Sequence, residues 1–109
     1  MKDIIKELYD VVQGRKKDGD EGSYTTYLFN SGKDKILKKV GEECTEVVIA
    51  SMKVDNKEEQ VNEICDLTYH ILVLLNELNI PLEEVYYELE KRRSKINNFK
   101  GERKNIENI

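Results

Sequence analysis

The sequence predicts an all-α protein, a bundle of four to five helices in a single domain. Its 109 residues are of single-domain size. It has one proline, Pro81, and few glycines, and this scarcity of helix breakers favours long helices. Apolar residues recur at spacings of three and four in four segments, which polar stretches separate. One of those stretches is β-prone, but a lone strand would have no partner strand to pair with.

The first predicted helix runs from about Asp3 to Gln13. Asp3 is of a type that caps helix N termini, and Gly14 is expected to end the helix. The stretch from Arg15 to Gly22 is polar and has no periodicity, so it predicts a loop. The basic start of that loop is a candidate for binding phosphate, and a solvated loop without a ligand is the alternative.

The β-prone run from Ser23 to Phe29 is predicted to be a short turn or helical piece that packs on the bundle. The hydroxyl groups of Ser23, Tyr24 and Thr25 are candidates for binding a ligand. Such residues more often cap a helix, and that alternative stays open.

The second predicted helix runs from about Lys33 to Met52, after a capping-box pattern formed by Ser31 and Asp34. Its apolar residues fall within an arc of about 120° when placed at 100° per residue. They are Ile36, Leu37, Val40, Cys44, Val47 and Val48. Three glutamates, Glu42, Glu43 and Glu46, share a neighbouring arc of about 100°.

The third predicted helix runs from about Lys57 to Leu78, after a second capping-box pattern at Asp55 and Glu58. Its apolar surface is wider than one helix contact needs. The residues are Val61, Ile64, Cys65, Leu67, Thr68, Ile71, Leu72, Leu74, Leu75 and Leu78. Because large exposed apolar patches mark interfaces, the protein is expected to be a homo-oligomer, a dimer being the commonest solution.

The fourth predicted helix runs from about Leu82 to Arg93, with Pro81 suited to its first position. The all-α domain is therefore expected to span residues 1–95. Residues 96–109 form a polar tail rich in Asn and Lys.

Two helices carry carboxylates that antiparallel packing would bring together. They are Glu42, Glu43 and Glu46 on one helix, and Glu63 and Asp66 on the next. Clustered carboxylates repel unless a cation compensates them, and oxygen-only ligand sets suit Mg²⁺, or Mn²⁺. Lys39 and Arg15 are candidates to hold substrate phosphates beside such a site. The alternatives are two solvated acidic helix faces and, for Lys39, a simple ion pair with the glutamates.

The only histidine, His70, lies four residues after Asp66. We expect a hydrogen-bonded structural histidine. A ferritin-like di-iron site needs Glu-x-x-His on two helices, so that class of site is excluded.

Composition excludes several functional classes. A net charge of −4 with dispersed basic residues does not predict a nucleic-acid binder. No apolar run is long enough to span a membrane, and no signal peptide is apparent. Cys44 and Cys65 do not form a zinc motif and are expected to be free, buried thiols, which predicts a cytoplasmic protein.

The acidic residues of the two helices and the Ser-Tyr-Thr string make this sequence resemble the phosphoribosyl-ATP pyrophosphohydrolase family of histidine biosynthesis. That family belongs to the all-α MazG-like nucleotide pyrophosphatase superfamily. The Glu-Glu-x-x-Glu pattern from Glu42 to Glu46 and the Glu-x-x-Asp pattern from Glu63 to Asp66 mark the superfamily. The string from Ser23 to Thr25 and the Lys-Val-Gly-Glu-Glu string mark the family. The matching residues are Ser23 to Thr25, Lys35, Ile36, Lys38 to Glu43, Glu46, Val61 to Glu63, Asp66, Leu67, Tyr69, His70 and Val73 to Leu75.

The resemblance implies Mg²⁺-dependent hydrolysis of phosphoribosyl-ATP to phosphoribosyl-AMP and pyrophosphate by a stand-alone enzyme. The implied metal ligands are Glu42, Glu43, Glu46, Glu63 and Asp66, with one of the glutamates also orienting the attacking water. The substrate-binding candidates are Arg15, Ser23, Tyr24, Thr25 and Lys39. Two alternatives remain: a MazG-like house-cleaning nucleoside triphosphate pyrophosphatase, and a non-catalytic helical oligomerisation module.

Overall fold

The computed structural model describes residues 2–95, which form five α-helices and no strand. The helices are α1 (Ile4–Lys17), α2 (Tyr24–Ser31), α3 (Lys33–Ser51), α4 (Lys57–Glu77) and α5 (Leu82–Arg93). The predicted all-α class is confirmed. The polar tail predicted for residues 96–109 lies outside the described residues.

The first helix begins where the sequence predicts and ends one turn later. The Asp3 carboxylate accepts a hydrogen bond from the backbone N–H of Lys6, 3.1 Å away, so it is the N-cap. Gly14 was predicted to end α1, and this is wrong because its carbonyl accepts the N–H of Asp18 at 2.8 Å. A glycine inside a helix costs only about 1 kcal/mol. The basic last turn, which ends at Lys17, offsets part of this cost through the helix dipole.

Both predicted capping boxes are wrong. The N-cap of α3 is Gly32, at φ +99°, while the Ser31 hydroxyl donates to a carbonyl in the last turn of α2. The N-cap of α4 is Asn56, whose amide donates back to the Ala50 carbonyl at 2.9 Å. Asp55 takes up a left-handed conformation, φ +54°, in the connection before it. The side chains of Ser31 and Asn56 therefore bond back to backbone carbonyls of α2 and α3.

Helices α3 and α4 form an antiparallel hairpin with the most extensive contact in the fold. Helix α1 packs on α4, and α2 fills the space between α1 and α3. Four side chains, one from each of these helices, form the main core: Val12, Leu28, Ile36 and Val73. A smaller cluster of Tyr9, Leu72 and Leu82 attaches α5.

The apolar arcs of α3 and α4 serve two different surfaces. Ile36 faces the core with no exposed surface, whereas Val48 is 59% exposed. Seven of the exposed members form what we call the open apolar face: Leu37, Cys44, Val48, Val61, Ile64, Cys65 and Ile71. The expectation of buried thiols is therefore wrong within one chain. At 100° per residue, this face lies on the side of the hairpin opposite Glu46.

None of the helices between residues 2 and 95 is long and apolar enough to cross a membrane.

Candidate metal centre

Three carboxylates converge between α3 and α4. Glu43 projects from α3, and Glu63 and Asp66 project from consecutive turns of α4. One oxygen from each lies within 4.8 Å of the other two. The antiparallel hairpin causes this convergence, because residues three apart on α4 share a face and that face meets α3 at Glu43. We call these residues the carboxylate cluster.

The cluster is electrostatically strained. Partial burial raises the pKa of Glu63, and the neighbouring charges of Asp66, Glu46 and Glu43 raise it further. On the α3 side, the ammonium of Lys39 lies 3.3 Å from Glu42 and 3.7 Å from Glu43. Lys39 therefore neutralises the edge of the cluster and leaves repulsion at its centre, near Glu63.

This repulsion should be measurable in the metal-free protein. A raised pKa means that the folded state favours protonated Glu63, so ionisation costs stability at neutral pH and this cost disappears as the pH falls through that pKa. Glu63→Gln is therefore expected to raise Tm in EDTA at neutral pH. The gain should shrink towards about pH 4, where carboxylates protonate in both states. Thermal melts across this range test the expectation, and an equal gain at every pH would contradict it.

Two of the five predicted carboxylate ligands lie outside the cluster. Glu46 is close enough to raise the pKa of Glu63, and Glu42 is turned towards Lys39. Their role as ligands stays a prediction. Glu59, which sequence reasoning assigned no role, also acts on Glu63. Its position four residues before Glu63 is the signal that placed both on one face.

The donor set fits a hard divalent cation. Mg²⁺ and Mn²⁺ prefer carboxylate oxygens, and Mg²⁺ usually binds through few carboxylates plus substrate phosphates. The three converging carboxylates and the raised pKa of Glu63 are what an uncompensated cation site produces.

The hydroxyls of the Ser-Tyr-Thr string have structural partners. The Ser23 oxygen accepts a hydrogen bond from the N–H of Thr26 at 3.2 Å and caps α2. This is the helix-capping role that the sequence predicted as the alternative to ligand binding. The Thr25 hydroxyl is buried and hydrogen-bonded to the hydroxyl of Tyr69. The Tyr24 hydroxyl lies 3.0 Å from Nε2 of His70, yet Tyr24 remains 45% exposed.

His70 is the hydrogen-bonded structural histidine that the sequence predicted. It is buried, and its Nδ1 donates to the backbone carbonyl of Asp66 at 2.7 Å. With Tyr24 on its other nitrogen, the ring connects α2 to the turn of α4 that carries Asp66.

The basic residues in the last turn of α1 have different partners. Arg15 pairs with Asp20 at 2.9 Å. Lys16 donates to the carbonyl of Asn76 and to the side chain of Asn79, at the far end of α4. That end is ten residues, or about 15 Å, from Asp66 along the helix. The guanidinium of Arg15 is paired with Asp20, and its role in substrate binding stays a prediction.

A family model described as phosphoribosyl-ATP pyrophosphohydrolase matches residues 5–93. The chain belongs to this family. It is 62% identical over 107 residues to the phosphoribosyl-ATP pyrophosphatase of Clostridium acetobutylicum, which covers 98% of this chain and 96% of that protein. The same name is given to a Bacillus mycoides protein that is 51% identical over 109 residues, 100% of each chain.

A third relative is named for histidine biosynthesis. It is a bifunctional histidine biosynthesis protein of Caldanaerobacter subterraneus, 59% identical over 93 residues, which are 85% of this chain and 45% of that protein. The family resemblance and the hydrolase class predicted from the sequence are confirmed.

Proposed function

We propose that this chain hydrolyses phosphoribosyl-ATP to phosphoribosyl-AMP and pyrophosphate, using Mg²⁺ held by the carboxylate cluster, with Mn²⁺ as an alternative. The observation that carries the proposal is the convergence of Glu43, Glu63 and Asp66 within 4.8 Å in a member of this family.

The residues of the cluster and the neighbouring glutamates are assigned different roles. Mg²⁺ bound there would polarise the phosphoryl oxygens and lower the pKa of a water. Glu43, Glu63 and Asp66 would hold the ion. Glu46, whose charge acts on Glu63 and which therefore lies near the cluster, would orient the attacking water and accept its proton. Glu42 is the alternative for this role and a further candidate ligand.

We assign Lys39 to the binding of the substrate's phosphates. Its ammonium is shared between Glu42 and Glu43, so it sits at the rim of the cluster. When the ammonium turns to a phosphate, the bound ion would compensate the carboxylate that it leaves. Lys35 lies one turn before Lys39 on the same side of α3, with its ammonium 5.9 Å from the centroid of the Tyr27 ring, and is a second cation on that side of the helix.

We also propose that two copies assemble through the open apolar face. Both helices of the hairpin contribute to that face, and seven neighbouring exposed apolar or thiol side chains exceed what isolated surface residues account for. A C2 dimer would bury it against itself. A cytoplasmic location and the absence of nucleic-acid binding stay predictions.

The substrate is tested by measuring pyrophosphate release from phosphoribosyl-ATP, ATP, dCTP, dUTP and ITP side by side with Mg²⁺. We expect phosphoribosyl-ATP to be favoured by about 10⁴-fold or more over plain triphosphates, because polar groups that meet the extra sugar phosphate are unpaired with the smaller ligands. An Asp66→Asn preparation controls for contaminating hydrolases. Faster turnover of a plain triphosphate would support a house-cleaning pyrophosphatase instead. No release from any of them, with the fold intact, would support a non-catalytic module.

A further inference from the structure

The hydrogen bonds that join Asp66, His70 and Tyr24 have a fixed direction. A backbone carbonyl can only accept, so Nδ1 of His70 carries the proton that it shares with Asp66 at 2.7 Å. In a neutral ring, Nε2 then has no proton and accepts one from the Tyr24 hydroxyl, 3.0 Å away. Burial raises the pKa of Tyr24, so its phenol keeps the proton that it donates.

This direction determines what Tyr24 offers to a ligand. Its one proton is directed at His70, and its oxygen has only lone pairs left. Phosphate oxygens are also acceptors, so they gain no hydrogen bond from it. A hydroxyl group of a sugar can donate to it.

Tyr24 lies in a position where its hydroxyl can contact a bound substrate. It is 45% exposed, and both Lys39 and Glu43 are close enough to act electrostatically on its hydroxyl. The neighbouring hydroxyls are less available, because Thr25 is buried against Tyr69 and the Ser23 oxygen caps α2. The ring is held by stacking on Tyr27 and Tyr69, with centroids 6.0 and 6.3 Å away.

We propose that Tyr24 is a specificity-determining residue that accepts a hydrogen bond from a hydroxyl of the extra phosphoribosyl group, and that His70 is the positioning residue that turns the Tyr24 proton away from the substrate. The inference rests on the proposed function. It gives the tyrosine and the lysine at the rim separate tasks: Tyr24 binds sugar and Lys39 binds phosphate.

Tyr24→Phe removes the acceptor and keeps the ring. We expect kcat/KM for phosphoribosyl-ATP to fall about 10- to 100-fold, the usual effect of leaving one polar group unpaired. The inhibition constant of ATP should change less than about twofold, because a contact to the extra sugar is absent from ATP. Equal losses for both ligands would overturn the proposal.

Two substitutions of His70 separate positioning from folding. Glutamine can place an oxygen near the position of Nε2 and accept from Tyr24, whereas asparagine is too short to reach it. His70→Gln is therefore expected to keep most of the preference for phosphoribosyl-ATP, and His70→Asn to lose it. Combining His70→Asn with Tyr24→Phe should cost no more than either alone. Additive losses, or equal selectivity in the two His70 variants, would overturn the positioning role.

The direction of these hydrogen bonds can be observed in the tautomer of His70, without measuring turnover. His70 is the only histidine in the sequence, so its ring nitrogens give a single set of ¹⁵N signals. At alkaline pH, where imidazole is neutral, the folded protein should show the Nδ1–H tautomer, and the Nε2–H tautomer would overturn the inference. A wild-type protein that shows the expected tautomer but does not hydrolyse phosphoribosyl-ATP would instead refute the proposed function, and the sugar contact with it.

Discussion

Asp66→Asn is expected to lower kcat/KM for phosphoribosyl-ATP by about 10²- to 10³-fold while the helical fold is kept. The loss follows from the charge stabilisation that a bound metal supplies, which is worth several kcal/mol. Asp66 is exposed and makes no side-chain hydrogen bond with the other described residues, so its substitution removes a ligand without opening the core. Circular dichroism checks the fold, and steady-state kinetics measure the loss.

Metal binding itself gives a second readout of the same substitution. A ligand that binds only the folded state at 100 times its Kd stabilises that state by about 2.7 kcal/mol. Mg²⁺ should therefore raise Tm in the wild type and have little effect in Asp66→Asn. Glu58→Gln is the matched control, since Glu58 is an exposed acid on the same helix outside the cluster. If Asp66→Asn keeps wild-type turnover, or Mg²⁺ still raises its Tm, the carboxylate cluster is not the metal centre.

Ile64→Asp is expected to convert the protein from a dimer to a monomer. Ile64 is 49% exposed in a single chain and lies within the open apolar face. In a C2 interface each substitution acts twice. Because each isoleucine is half exposed in the single chain, losing its burial in the dimer twice costs about 1.5–3 kcal/mol, which corresponds to a Kd raised about 10- to 150-fold.

The control for this variant is Ile4→Asp. Ile4 is 60% exposed, but it lies at the start of α1 and outside the α3–α4 face. Light scattering at micromolar concentration should give a dimer for the wild type and for Ile4→Asp, and a monomer for Ile64→Asp. A wild-type monomer that is folded and active would contradict the proposed interface.

The positions of the helices could be predicted largely from local patterns. The spans of α3, α4 and α5 follow apolar periodicity, and Ser23 caps α2 because a short polar side chain before a helix satisfies a free N–H. The error at Gly14 has a physical reason. Glycine ends a helix by taking a left-handed conformation, but here the turn after Gly14 is held to α4 by Lys16, which donates to the Asn76 carbonyl, and this contact favours continuing the helix.

The site was harder to predict than the fold. The three-residue separation of Glu63 and Asp66 correctly predicted that they share a face, because the geometry of a single helix decides this. Which α3 glutamate meets them depends on how α3 and α4 are rotated against each other, and this is decided by core residues such as Ile36 and Val73. Sequence periodicity also could not divide the apolar arc of α3 between the core and the open face, because both surfaces are apolar.

The metal-dependent reaction is tested most directly by identifying the products of phosphoribosyl-ATP by ³¹P NMR, with Mg²⁺ and with EDTA. We expect pyrophosphate and phosphoribosyl-AMP in equal amounts with Mg²⁺, and no reaction with EDTA. Release of inorganic phosphate would mean cleavage at a different phosphoanhydride bond. That result, or undiminished turnover in EDTA, would contradict a metal-dependent pyrophosphohydrolase built on Glu43, Glu63 and Asp66.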